Sequence, residues 1–292
     1  MARFLVNMDR WLRAAHSLLA PRQEQCLSCG RLGHLSTVLP GICEVCTRTI
    51  PWIRKPRCRK CGRHVGCPDC ARGADGSLLI RNRSAVAYSS EMRQWLSQYK
   101  YRGDEKYAEP LSRMLDNAYS MLKAEIEAEA KLKWSADLLV PVPVSGLRLA
   151  ERGFNQAERL AQYISAHRKI PVVELLVRAH HTGKQSFKGR AERLISMREA
   201  FGVNPDARGA LKHLLQPPKR LDKGVSPLLF TSSYLIYGSN RRTSACRPFR
   251  IIIVDDIYTT GSTIRACAEV IRQAMGESGR PAEIYSLTWA RS

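Results

Sequence analysis

Acidic residues are scarce in this chain of 292 residues. Only 26 Asp and Glu stand against 47 Lys and Arg, a formal net charge of +21. Such a balance excludes an acidic, self-solvating protein and points to contact with polyanions. No run of 18 apolar residues occurs, so no segment is expected to span a bilayer. The first twenty-odd residues interrupt their apolar side chains with Arg3, Arg10 and Arg13 and contain no small-residue cleavage site. They do not read as a secretory signal, and a cytoplasmic protein is expected. The spacing of Leu5, Met8, Trp11 or Leu12, and Ala15 predicts instead a short amphipathic helix, either packed on its own domain or lying on a membrane surface. With 44% hydrophobic and 25% charged residues the composition excludes wholesale disorder. The length suits one large domain or two modest ones.

Cysteine is nearly absent after residue 70, where only Cys246 and Cys267 remain. Before it, eight cysteines form four CxxC pairs: Cys26 with Cys29, Cys43 with Cys46, Cys58 with Cys61, and Cys67 with Cys70. Two thiolates separated by two residues can share a metal from one tight knuckle. Two knuckles complete a tetrahedron of soft ligands that suits Zn²⁺. A shell of four Cys leaves no open position, so the two zinc ions are expected to be structural, in a double zinc ribbon over residues 1–75. Either the pairs combine in sequence order, Cys26 to Cys46 and Cys58 to Cys70, or they cross-brace. Gly30 and Gly62 follow the second Cys of a knuckle, where positive φ is expected. Arg54, Lys55, Arg57, Arg59, Lys60 and Arg63 cluster beside Trp52. That cluster is either a solvated surface or a face for single-stranded nucleic acid, with an aromatic on which to stack.

No Gly-Lys-Ser/Thr ending exists, so there is no Walker A loop. In its place, four β-branched residues from Ile251 to Val254 predict a buried parallel strand. Asp255 and Asp256 follow, and then Thr259, Thr260, Gly261, Ser262 and Thr263 lead into a helix over about 262–275. Amides and hydroxyls at a helix N-terminus cradle phosphate. Two carboxylates beside such a cradle repel phosphate unless they face a sugar, whose hydroxyls they accept from.

This block resembles the phosphoribosyl diphosphate signature of type I phosphoribosyltransferases. By that resemblance Asp255 and Asp256 contact the ribose and residues 259–263 wrap the 5′-phosphate. A second block carries the likeness further: Pro141-Val-Pro-Val, then Arg152-Gly-Phe-Asn-Gln-Ala. Together with Lys100, Gly103-Asp104, Arg178, Thr182, Gln185, Arg193 and Ala200-Phe201, these blocks look like the ComF/GntX (competence protein F) family. The resemblance implies a zinc ribbon followed by a phosphoribosyltransferase-like domain over residues 76–292. It also implies Mg²⁺ bound with phosphoribosyl diphosphate or a related phosphorylated ribose, and a place in DNA uptake and natural transformation beside uptake proteins. The site would then either transfer the phosphoribosyl group or sense its ligand. Ser145 departs from the family's usual His. Residues 206–249 form an insertion, read either as a surface excursion or as a binding loop.

Alternating strands and helices after the ribbons predict an α/β fold with a parallel sheet covered on both faces. Strands are expected near 85–88, 138–142, 172–176, 250–254 and 282–289. Helices are expected at 90–98, 106–131, 153–166 and 262–275. A basic segment, 178–198, is placed to close over a diphosphate.

Overall fold

The computed structural model describes residues 24–67, 70, 78–101, 105–178, 200–215 and 247–292. The amphipathic N-terminal segment, Gly103-Asp104, Thr182, Gln185, Arg193, the basic segment beyond Arg178, and most of the insertion with Cys246 lie outside the described residues.

The chain opens with a two-residue hairpin, β1 (Glu24–Gln25) and β2 (Leu32–Gly33), and a short helix α1 (Glu44–Thr49). The sheet begins at β3 (Leu79–Ala87), followed by α2 (Ser90–Tyr101) and α3 (Ala108–Ala130). β4 (Leu138–Pro141), α4 (Gly146–Arg152) and α5 (Gln156–Arg168) come next. A small antiparallel pair, β5 (Leu176–Arg178) with β6 (Phe201–Val203), precedes α6 (Arg208–Leu215). The chain finishes with β7 (Phe249–Tyr258), α7 (Ser262–Gly276) and β8 (Ala282–Arg291). Four strands pair in the order β3-β8-β7-β4, all parallel, as the β-branched run and the βαβ alternation predict.

Side chains alternate across this sheet and build two cores. Ile252 and Val254 of β7 join Leu287 and Trp289 of β8 beneath α2, α3 and α5. Ile251 and Ile253 point the other way, with Leu138 and Val140, beneath α7 and the β5–β6 pair. The ribbons take part in both. Cys26, Leu39, Ile42 and Cys46 pack into the first core, whereas Cys61 belongs to the second. Between them the chain runs antiparallel along β3: Ile53 donates its amide to Ala85, Ala87 donates to Pro51, and Trp52 bridges Val86. The ribbon segment thereby covers an edge strand that would otherwise present unpaired amides.

Trp52 is half-buried against the first core, so it is no free stacking platform. Its covered position follows from the backbone pairing of Pro51 and Ile53 with β3 on either side of it. Three further expectations need correction. The helix read as 153–166 is α5, which starts later because Asn155 caps it by accepting from the Ala157 amide, and Gly153, at φ +76°, instead ends α4, a short helix that the spacing did not suggest. The strand read at 172–176 is a single parallel bridge, Leu139 to Val172, after which the chain leaves the sheet to pair 176–178 with 201–203. β7 also runs on to Tyr258, so the acidic pair lies inside the strand's end and not after it.

Candidate functional site

The eight N-terminal cysteines gather in sequence order. The sulfurs of Cys26, Cys29, Cys43 and Cys46 lie within 4.8 Å of one another, as do those of Cys58, Cys61, Cys67 and Cys70. Sequential pairing is the observed arrangement. Gly30 and Gly62 both have φ +71°, as knuckle turns require. At Gly62 a Cβ would also come within 2.9 Å of the Asn82 carbonyl oxygen. Backbone amides point at the sulfurs: Cys43 donates to Cys26 Sγ at 3.3 Å and Cys46 to Cys43 Sγ at 3.5 Å. Burial, with the Cys43 and Cys29 thiols nearby, pushes the Cys46 thiol up to about 12. Burial and the Cys67 and Cys61 sulfurs push Cys70 up as well. Four thiolates this close need a central cation to ionise together, so each cluster can hold one Zn²⁺ as a closed, four-ligand site.

Beyond the C-terminal ends of β4 and β7, the chain's phosphate-type motif faces a cleft of about 240 Å³. Asp255 and Asp256 enter it from the end of β7. The Asp256 amide donates to Asp255 Oδ1 at 2.8 Å, and Lys100, near the end of α2, forms an ion pair with Asp256. Burial, then the adjacent Asp256, pushes the Asp255 carboxyl up to about 7, against the opposing pull of Lys100 and Arg178. A carboxyl so placed is held at an energetic cost that a hydroxyl donor or a cation can relieve.

Thr259 and Thr263 line the cleft, and Thr260, Gly261 and Ser262 make the turn between them. Gly261 has φ +77°, and a Cβ there would lie 2.2 Å from the Tyr258 hydroxyl. Only glycine fits. The N-cap Gly261 has no side chain to offer α7, and the Ser262 amide meets Thr260 Oγ1 at 3.5 Å, so the first turn of the helix opens onto the hydroxyls of the loop. The segment 259–263 therefore has the form of an anion cradle.

Three other elements bring cations to the same cleft. Arg148 and Arg152 come from α4, Arg178 from β5, and Lys100 from α2. Ser145, buried and at the N-cap of α4, accepts from the Arg148 amide at 3.4 Å. Its role here is to start the helix that carries two of the arginines. Asn155 donates to the Val142 carbonyl at 3.2 Å and so ties α5 to the loop after β4. Arg178 lies over the Phe201 ring at 5.5 Å, which fixes β5 against β6. The arrangement can hold a polyanion by its phosphates and offer two carboxylates to what lies between them.

Sequence reasoning found the carboxylates, the loop and the ribbons. It missed the pairing of Lys100 with Asp256 and the supporting parts played by Tyr258 and Arg291. Tyr258 had a faint signal, three residues before an obligatory glycine; Arg291 had none. Among the described residues no helix is long and apolar enough to cross a membrane.

No family model matches the chain. It is 28% identical to competence protein ComFC of Bacillus subtilis over 259 residues, covering 86% of this chain and 84% of the relative. Competence protein F of Haemophilus influenzae is 23% identical over 258 residues, 85% of this chain and 91% of the relative. The DNA utilization protein YhgH of Escherichia coli is 24% identical over 238 residues, 79% and 84% of the two chains. These matches span most of the chain, and with the parallel sheet and two Cys₄ clusters in place they support a likeness to the ComF family.

Proposed function

We propose that the cleft binds phosphoribosyl diphosphate together with Mg²⁺, and that the protein serves DNA uptake or utilisation, as the names of its relatives suggest. The observation that carries this reading is the meeting, in one cleft, of an acidic pair at a strand end and a hydroxyl-bearing loop at a helix N-terminus capped by Gly261. The loop 259–263 takes the 5′-phosphate on amides and hydroxyls. Asp255 and Asp256 accept hydrogen bonds from the ribose hydroxyls, which are donors where phosphate is not. Lys100, Arg148, Arg152 and Arg178 face the diphosphate. Asp255 and Asp256 also supply hard oxygen donors suited to Mg²⁺, which would neutralise charge between diphosphate and ribose oxygens.

Isothermal titration of phosphoribosyl diphosphate with Mg²⁺ tests the site, with ribose 5-phosphate and ATP as comparators. Loss of binding in Asp255→Asn/Asp256→Asn is expected, and unchanged affinity sinks the assignment. Diphosphate release on adding purine or pyrimidine bases reports transfer; tight binding with no release makes the site a sensor.

Contact with single-stranded nucleic acid is the second part of the reading. Arg54, Lys55, Arg57 and Arg59 are exposed along the ribbon, although Arg59 pairs with Glu129 at 3.2 Å. With Trp52 turned into the core, affinity rests on charge and not on stacking there. Gel-shift binding of single strands that ignores salt, or survives neutralisation of these residues and Lys60, rules it out.

A further inference from the structure

The penultimate residue of the chain links the second Cys₄ cluster to the anion cradle. Arg291 ends β8 and is 3% exposed. Its Nε donates to the Cys61 carbonyl at 3.0 Å and its Nη2 to Cys61 Sγ at 3.5 Å. In the other direction Nη1 donates to the Tyr258 carbonyl at 3.0 Å and to the Thr259 carbonyl at 2.8 Å. The guanidinium also lies 4.8 Å from the Tyr258 ring centre. That ring is the floor on which Gly261 rests. One planar cation thus bonds a cluster sulfur and both residues from which the cradle departs.

We infer that Arg291 is a positioning residue that couples metal loading of the Cys58–Cys70 cluster to the shape of the 259–263 loop. The coupling has a physical source. Four thiolates around one Zn²⁺ carry a net charge of about −2, whereas four thiols carry none. Arg291 also donates to the Ser292 oxygen, and a loaded cluster adds negative charge on its Cys61 side, so loading and the placement of the guanidinium fork favour each other. The N–H···S bond is of the kind that tunes metal affinity from outside the ligand shell, by about 10- to 100-fold. The first cluster has no such link to the loop among the described residues. Its Ser28 accepts from Trp95 and donates to Glu91, both on α2. The inference extends the proposed phosphoribosyl site, because the loop it positions is the phosphate cradle of that reading.

Amide hydrogen exchange on the zinc-loaded full chain, without any phosphoribosyl ligand, tests the coupling. Cys67→Ser opens the second cluster and Cys29→Ser the first, and native mass spectrometry counts the zinc each retains. Exchange across 258–263 is expected to rise at least tenfold in Cys67→Ser and in Arg291→Met, and to stay at the unmutated rate in Cys29→Ser. In Arg291→Met, alkylation of Cys58 to Cys70 should quicken while that of Cys26 to Cys46 does not. Arg291→Lys keeps the charge without the fork and should recover part of the zinc retention but not the loop protection. Equal exchange in all the proteins overturns the coupling. So does a rise that spreads equally over α5 and β4, or one that follows the first cluster. Absence of phosphoribosyl diphosphate binding by the unmutated protein overturns the proposed ligand instead and leaves the exchange result standing.

Discussion

The Asp255 carboxyl offers a stability test that needs no ligand. Burial and the neighbouring Asp256 raise it from 3.8 to about 7, so the folded protein holds this proton more tightly than the unfolded chain does. For an acid raised in this way the cost of the charged form is absent below pH 3.8. It grows as pH rises and is complete above about 7. The displacement corresponds to at most about 4 kcal/mol. Lys100, Arg178 and water at the open mouth screen part of it, and about half that value is expected in practice. Asp255→Asn keeps the shape and the acceptor for the Asp256 amide while removing the charge. It should stabilise the ligand-free protein by about 2 kcal/mol at pH 8 and by about 1 kcal/mol at pH 5.5. Urea denaturation of both proteins at the two pH values, with zinc present, measures the difference, and other titrations cancel between them. An Asn variant no more stable than the unmutated chain at pH 8, or a gain that does not grow with pH, refutes this account of the acidic pair. A variant that is more stable yet fails to bind phosphoribosyl diphosphate would be a site held at a cost for its function.

A graded glycine series separates strain from steric overlap. Gly153→Ala meets nothing within 4 Å and should cost about 1 kcal/mol from positive φ alone. Gly261→Ala drives a methyl into Tyr258 and should cost more than twice that and abolish ligand binding, as read by thermal melts and titration. Lys100→Met removes the ion-pair partner of Asp256 and should weaken phosphoribosyl diphosphate binding by about 10- to 100-fold with little change in zinc content. Metal analysis should return two Zn²⁺ per chain, falling to one in Cys29→Ser or Cys67→Ser; a single ion in the unmutated protein breaks the two-cluster reading. Neutralising Arg54, Lys55 and Arg57 should lower the salt slope of single-strand binding by about 0.7 for each phosphate that these side chains neutralise.

What the sequence makes legible is local chemistry. The CxxC pairs, the β-branched run into Asp255-Asp256, and the small hydroxyl loop each carry their meaning within a few residues. Their counterparts in the structure lie where spacing places them. Boundaries set by single residues were less visible. Gly153 at φ +76° ends a short helix, α4, that went unread, and the helix expected from 153 begins only at Gln156. The segment 172–176 is rich in Val and Leu, but it meets the sheet only in the single bridge around Val172. Pairings far apart in sequence were not legible at all. Lys100 meets Asp256, and Arg291 reaches back to Cys61, because parallel strands bring their ends together across long connections.

The same long-range geometry changes what the charge means. Residues 250–292, which hold the acidic pair and the loop, contain five basic and five acidic residues, and taken alone they suggest phosphate recognition by amides and hydroxyls only. In the folded chain that neutral segment faces Lys100, Arg148, Arg152 and Arg178, four cations contributed by α2, α4 and β5. Part of the positive excess of the chain therefore belongs to the cleft. The ribbons fit the same logic. The first packs Ser28 and Leu27 against Trp95 and Tyr107, bracing the helix that carries Lys100. The second reaches the opposite wall through Arg291 and Tyr258. Each Cys₄ cluster thus braces one side of a basic cleft whose carboxylates are costly to bury. A small module whose two Cys₄ clusters can each hold a metal suits that task, since ligation would supply rigidity that its short strands and few apolar residues cannot.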